Sequence, residues 1–128
     1  MGMLPLVIFV GAGIGGVARY AVGSWVQAAT GPAFPWGTLL INVSGSFLLM
    51  LVYGFLEGTV APPEWRAFLG IGVLGGFTTF SAFSYETVRL MQDGEWERAS
   101  VYVLASVVLS VAAAAAGFGA ASMLLRRG

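Results

Sequence analysis

Four apolar runs divide this chain almost from end to end, covering residues 4–28, 34–56, 65–91 and 96–125. Each is at least as long as the ~20 helical residues needed to cross the hydrocarbon core of a bilayer. Only 9% of the residues are charged and 58% are hydrophobic, where a soluble domain carries about 25% charged residues. There is too little polar surface to coat a globule in water. The runs predict an all-α membrane protein: a single domain over residues 1–128 with four transmembrane helices, joined by short loops at 29–35, 57–64 and 92–95. Pro32, Pro35, Pro62 and Pro63 fall in or beside the first two loops, where helices stop. Trp25, Trp36, Trp65 and Trp96 fall near the run ends, as an interfacial aromatic belt requires. The first run lacks a basic leader and holds Arg19 internally, so it is expected to stay as a transmembrane helix and not to be cleaved as a signal peptide.

The composition also removes several functions. The six basic residues are all arginines and are matched by six acids, which leaves no basic patch to neutralise phosphates. Cysteine and histidine are absent. Disulfides, thiol chemistry, the usual transition-metal ligands and the commonest general base go with them. An enzyme is not expected.

The arginines split evenly between the two sides of a four-span chain. Arg66, Arg126 and Arg127 share one side; Arg89 and Arg98 share the other, joined by Arg19 if it snorkels to the nearer end of its helix. An even split gives the positive-inside rule nothing to act on. One orientation winning by other means is one reading. The sharper reading is insertion both ways and assembly as an antiparallel, dual-topology homodimer. Small-residue pairs (Gly11 and Gly15, Gly72 and Gly76, Ala113 and Gly117) suit close helix packing, within a chain or between chains.

Polar groups at membrane depth are costly, which makes each a functional candidate. Thr38, Asn42 and Ser46 recur every fourth residue along the second run, and Tyr102, Ser106 and Ser110 do so along the fourth. A lone serine is explained by an interhelical hydrogen bond, typically worth about 0.6 kcal/mol. Asn42 has an amide with more positions to satisfy. Arg19 either snorkels or faces a vestibule that draws anions. Glu86 is read as lying near a path entrance or simply at a helix end.

The third run carries Gly75-Gly76-Phe77-Thr78-Thr79-Phe80-Ser81-Ala82-Phe83. Paired glycines weaken a helix and hydroxyls bond to freed backbone. The helix is therefore expected to break near Gly75–Thr79 and to line something polar. Freed carbonyls of Gly75 and Thr78 suit a hard monovalent cation, and a two-fold mate would double their number. Phe80 and Phe83 would stand one turn apart. Such pairs usually mean packing, but beside hydroxyls and a broken backbone their electropositive edges suit a small anion. Conduction needs binding firm enough to admit the ion and weak enough to release it.

These residues group into three motifs: Gly15-Gly16-Val17-Ala18-Arg19-Tyr20, the stretch from Gly37 through Phe47, and Gly75 through Phe83. Together they resemble the Fluc (CrcB) fluoride channels, small four-helix proteins that work as dual-topology, antiparallel dimers. The resemblance covers essentially the whole chain, with Ala82 standing where the family often has threonine. It implies that Phe80 and Phe83 form an aromatic box contacting fluoride in each of two pores, and that Asn42 presents its amide to the ion with Thr38 nearby. Ser81, Tyr102, Ser106 and Ser110 would continue a hydroxyl track, and Arg19 would sit in the vestibule. The carbonyls of Gly75 and Thr78 from both subunits would hold a central structural sodium ion that is not transported. The implied function is passive export of fluoride through the inner cell membrane. The main rival is a small dual-topology, proton-coupled multidrug exporter, which needs a carboxylate buried in a span; the only near candidate is Glu86, taken to lie at a segment end. A non-transporting assembly subunit would leave the polar stripes without a purpose.

Overall fold

The computed structural model describes residues 2–127, and every element within them is helical. Helix α1 runs over Met3–Thr30, with Pro5 in the first turn, where its missing N–H is not needed. It stops at Gly31, whose φ of 86° suits glycine and whose N–H closes on the Gln27 carbonyl at 2.9 Å. Pro35 precedes α2, Trp36–Glu57. The third span is segmented into α3 (Pro63–Arg66), a π-helical stretch π1 (Ala67–Leu74), α4 (Gly75–Phe77) and α5 (Phe80–Gln92). Gly94, with a φ of 77°, turns the chain into α6, Trp96–Arg127.

Four spans, Met3–Thr30, Trp36–Glu57, Pro63–Gln92 and Trp96–Arg127, are long and apolar enough to cross a membrane. The chain is a multi-pass membrane protein. All four tryptophans are exposed near span ends. Phe9, Val17 and Phe80, away from the span ends, are exposed too, while only a thin seam that includes Ile41, Ala99, Tyr102 and Ala121 is sealed among the described residues. A surface of that kind belongs against lipid or a partner.

Within the third span the hydrogen bonds of π1 reach one residue further than in an α-helix, ending with the Gly75 N–H on the Gly70 carbonyl. Such stretches are rare and often mark functional sites. At Thr78 and Thr79 the backbone is extended, with φ/ψ of −85°/157° and −153°/117°. The Thr79 hydroxyl then caps α5 by accepting the Ala82 N–H at 3.1 Å.

Glycines set the packing. Helix α1 lies along π1 and α4, and α6 lies along α2. A Cβ on Gly11 would stand 2.6 Å from the Phe68 carbonyl oxygen, and one on Gly76 would stand 2.6 Å from that of Ala12. Gly117 meets the Phe47 backbone in the same way. The small-residue faces found in the sequence are therefore occupied within the chain.

Candidate functional site

Asn42, on α2, pairs with Thr79 much as a neighbouring strand would. The Thr79 N–H donates to Oδ1 at 2.8 Å, and Nδ2 donates to the Thr79 carbonyl at 3.0 Å. These complementary partners fix which way the amide points and leave one Nδ2 hydrogen unused. They also satisfy extended backbone at a depth where water is scarce.

The pairing has a second effect. In a continuous helix the Thr79 N–H would serve the Gly75 carbonyl, and the Ala82 N–H would serve that of Thr78. The first goes instead to Asn42 and the second to the Thr79 hydroxyl. Both carbonyls lose their helical donor. Unwound carbonyl oxygens are hard ligands of the kind sodium takes, so these residues fit the ion that the resemblance implies.

Beside the extended residues lies a groove of about 340 Å³, lined by Asn42, Ser46, Phe80, Phe83, Ser106 and Ser110 among others. No ionisable side chain is among its lining residues. The Phe80 and Phe83 rings stand 5.5 Å apart, tilted by 52°, with Phe80 facing outward. Ser46 donates to the Asn42 carbonyl at 2.6 Å. Ser106 is only 8% exposed, and its Oγ has no hydrogen-bond partner among the described residues.

A second cavity, of about 450 Å³, meets the groove at Thr79 and is bordered by Arg19, Gln27, Thr38 and Glu86. Arg19 donates its Nε to the Gly76 carbonyl at 3.1 Å. It is tied to the backbone beside the extended residues and does not snorkel away. Thr38 donates to Glu86 Oε1 at 2.7 Å, and Tyr102 donates to Oε2 at 2.6 Å. Glu86 thus sits in the middle of α5, held by two other helices, and the expectation of a helix-end position is corrected. Its partners lie 48 and 16 residues away in sequence, beyond what local spacing reveals.

The predicted residues are therefore shared between two places. Asn42, Phe80, Phe83, Ser106 and Ser110 gather at the groove, and Arg19 and Thr38 at the second cavity. Tyr102 is fully buried between Phe83, 5.1 Å away, and Phe34, 5.5 Å away, with its hydroxyl turned to Glu86 and not toward Ser106. Ser81 lies outside the groove lining, its hydroxyl 3.2 Å from that of Thr79.

A family profile described as "CrcB-like protein, Camphor Resistance (CrcB)" matches residues 6–118. The chain belongs to the CrcB family. Its CrcB relatives include a protein of Rhizobium meliloti (strain 1021), 49% identical over 114 residues that make up 87% of this chain and 91% of the relative. One from Geobacter sulfurreducens is 51% identical over 120 residues, 93% of this chain and 97% of the relative. One from Thermus thermophilus is 46% identical over 114 residues, 88% and 89% respectively. All three are named "Fluoride-specific ion channel FluC". A CrcB protein is a channel homologue and not an enzyme.

Proposed function

We propose that this chain is a fluoride-selective channel that lets fluoride leave the cytoplasm passively, working in the inner cell membrane as an antiparallel dimer with two pores. The observation that carries the reading is the groove. It brings together Asn42, the Phe80 and Phe83 rings, Ser106 and Ser110 without any formal charge, in a chain whose relatives are named as fluoride channels.

Fluoride is small and a strong hydrogen-bond acceptor. Hydroxyls, an amide N–H and ring edges bind it without a full cation that would trap it. Chloride, larger and a weaker acceptor, gains less from the same donors. Arg19 adds positive potential beside the groove, Ser81 offers a hydroxyl along the approach and Ser110 continues the track, while the Thr38 and Tyr102 hydroxyls are given to Glu86 and shape the approach through it. The Gly75 and Thr78 carbonyls of two subunits hold a structural sodium ion, which when bound supplies a fixed positive charge. Export needs no energy source, because neutral HF crosses the membrane, ionises inside and leaves the anion to run down its own gradient.

Glu86 inside a span is the one feature that favours a proton-coupled exporter. Both of its oxygens are occupied by the Thr38 and Tyr102 hydroxyls, and the relatives are named as channels, so the exporter is the weaker reading. The test is efflux from liposomes carrying the purified protein, with a potassium leak to balance charge. A fluoride electrode should record rapid release, while chloride stays at background. Equal release of the two ions, or release of neither, overturns the channel.

A further inference from the structure

Gln27 stands in the last turn of α1, and no motif in the sequence singles it out. Its side-chain amide makes three hydrogen bonds. Nε2 donates to the Gly31 carbonyl at 2.6 Å and to the Phe34 carbonyl at 2.9 Å, and Oε1 accepts the Gly37 N–H at 3.2 Å. The start, middle and end of the α1–α2 connection converge on one side chain. Gly37 lies in the first turn of α2, where backbone donors are orphaned, and Pro35 at the cap position offers no side-chain partner. Gln27 caps α2 from the neighbouring helix.

The clasp bears on Phe34. That ring lies 4.8 Å from Trp36 and meets Tyr102 edge-on at 5.5 Å and 84°. With Phe83 on its other side, Tyr102 is fully buried while its hydroxyl holds Glu86. Releasing Phe34 exposes Tyr102 to water and weakens hydrogen bonds that depend on a dry setting.

We infer that Gln27 is a positioning residue for conduction: by clasping the α1–α2 loop it seats Phe34 over Tyr102 and so fixes the Tyr102–Glu86–Thr38 set at one end of the path. The inference rests on the channel reading above. Gln27 also borders the second cavity, so direct action on the ion is the competing explanation.

The test compares Gln27→Ala, Phe34→Ala, the double variant and Phe34→Tyr, each read by liposome fluoride efflux and by hydrogen exchange over residues 31–37. Gln27→Ala should speed exchange in that segment and slow efflux by up to about a hundredfold, the scale that a remote misplacement of about 1 Å can reach. Phe34→Ala should match it, the double variant should lose no more than either single one, and Phe34→Tyr, which keeps the ring, should conduct as wild type. Unchanged exchange or wild-type efflux in Gln27→Ala overturns the inference, as do losses that multiply in the double variant. Wild-type protein that releases no fluoride overturns the channel reading and the conduction role with it, while the exchange arm still reports whether the clasp exists.

Discussion

A serine hydroxyl buried in the wall of the groove gives up its hydrogen bonds to water, and without a protein partner that loss is about 1–3 kcal/mol. Ser106 is in that position, and a passing ion that accepts its proton would offset the loss. Ser106→Ala removes the stranded oxygen. It should leave thermal stability unchanged or slightly raised while slowing fluoride efflux, both measured on one preparation. Lower stability with unchanged efflux would make the hydroxyl structural. The four-residue spacing on α6 pointed to Ser106, yet the same spacing suggested that Tyr102 and Thr38 share the path lining, and they turn to Glu86 instead. The reason is geometric. Each step of four residues overshoots a full turn by about 40°, so a stripe of three has rotated about 80° by its end. Thr38 and Ser46 therefore open onto different cavities, with Asn42 between them. Nor could spacing show that Asn42 pairs with Thr79, 37 residues away.

At the scale of elements, the spans were readable because apolar length alone sets them. The π-helical register of Ala67–Leu74 was not, since a π turn and an α turn ask for the same apolar side chains. What distinguishes this stretch is its neighbour: the glycines of α1 bring that helix onto the backbone of π1 and α4. Arg19 then crosses from α1 to the Gly76 carbonyl, tying the contact to the extended residues. Gly76→Ala tests whether this approach holds the site. Its Cβ would stand 2.6 Å from the Ala12 carbonyl oxygen, and backbone cannot step aside as a flexible side chain does. Overpacking of this kind costs about 1–3 kcal/mol, so thermal unfolding in detergent should shift down and fluoride efflux should fall. Gly119→Ala on α6 is the control, since a Cβ there meets nothing within 4 Å and alanine favours the helix. Equal losses in the two variants would mean that glycine content, and not this contact, sets stability.

For the whole molecule, Arg19 changes the charge count that suggested insertion both ways. Bonded to the Gly76 carbonyl, it belongs to neither membrane face. Arg66, Arg126 and Arg127 then stand against Arg89 and Arg98, three against two. Arg66 is further engaged, 4.4 Å from the centroid of the Tyr53 ring. A difference of one charge is too small to commit every chain to one orientation. The outward face of a single subunit also leaves Phe80 78% exposed beside the freed Gly75 and Thr78 carbonyls, which a mate in the opposite orientation would cover. Tipping the balance tests the antiparallel assembly. Arg66→Gln with Arg126→Gln and Arg127→Gln leaves none against two, whereas Arg89→Gln with Arg98→Gln leaves three against none, so the variants should insert in opposite senses. Tag accessibility on intact and opened cells should find each variant in one orientation and the wild type in both. Alone, each variant should give little fluoride efflux for want of a mate; expressed together, they should restore it to near the wild-type rate. Full efflux from either variant alone, in a single orientation, would mean that the conducting unit is a monomer or a parallel assembly.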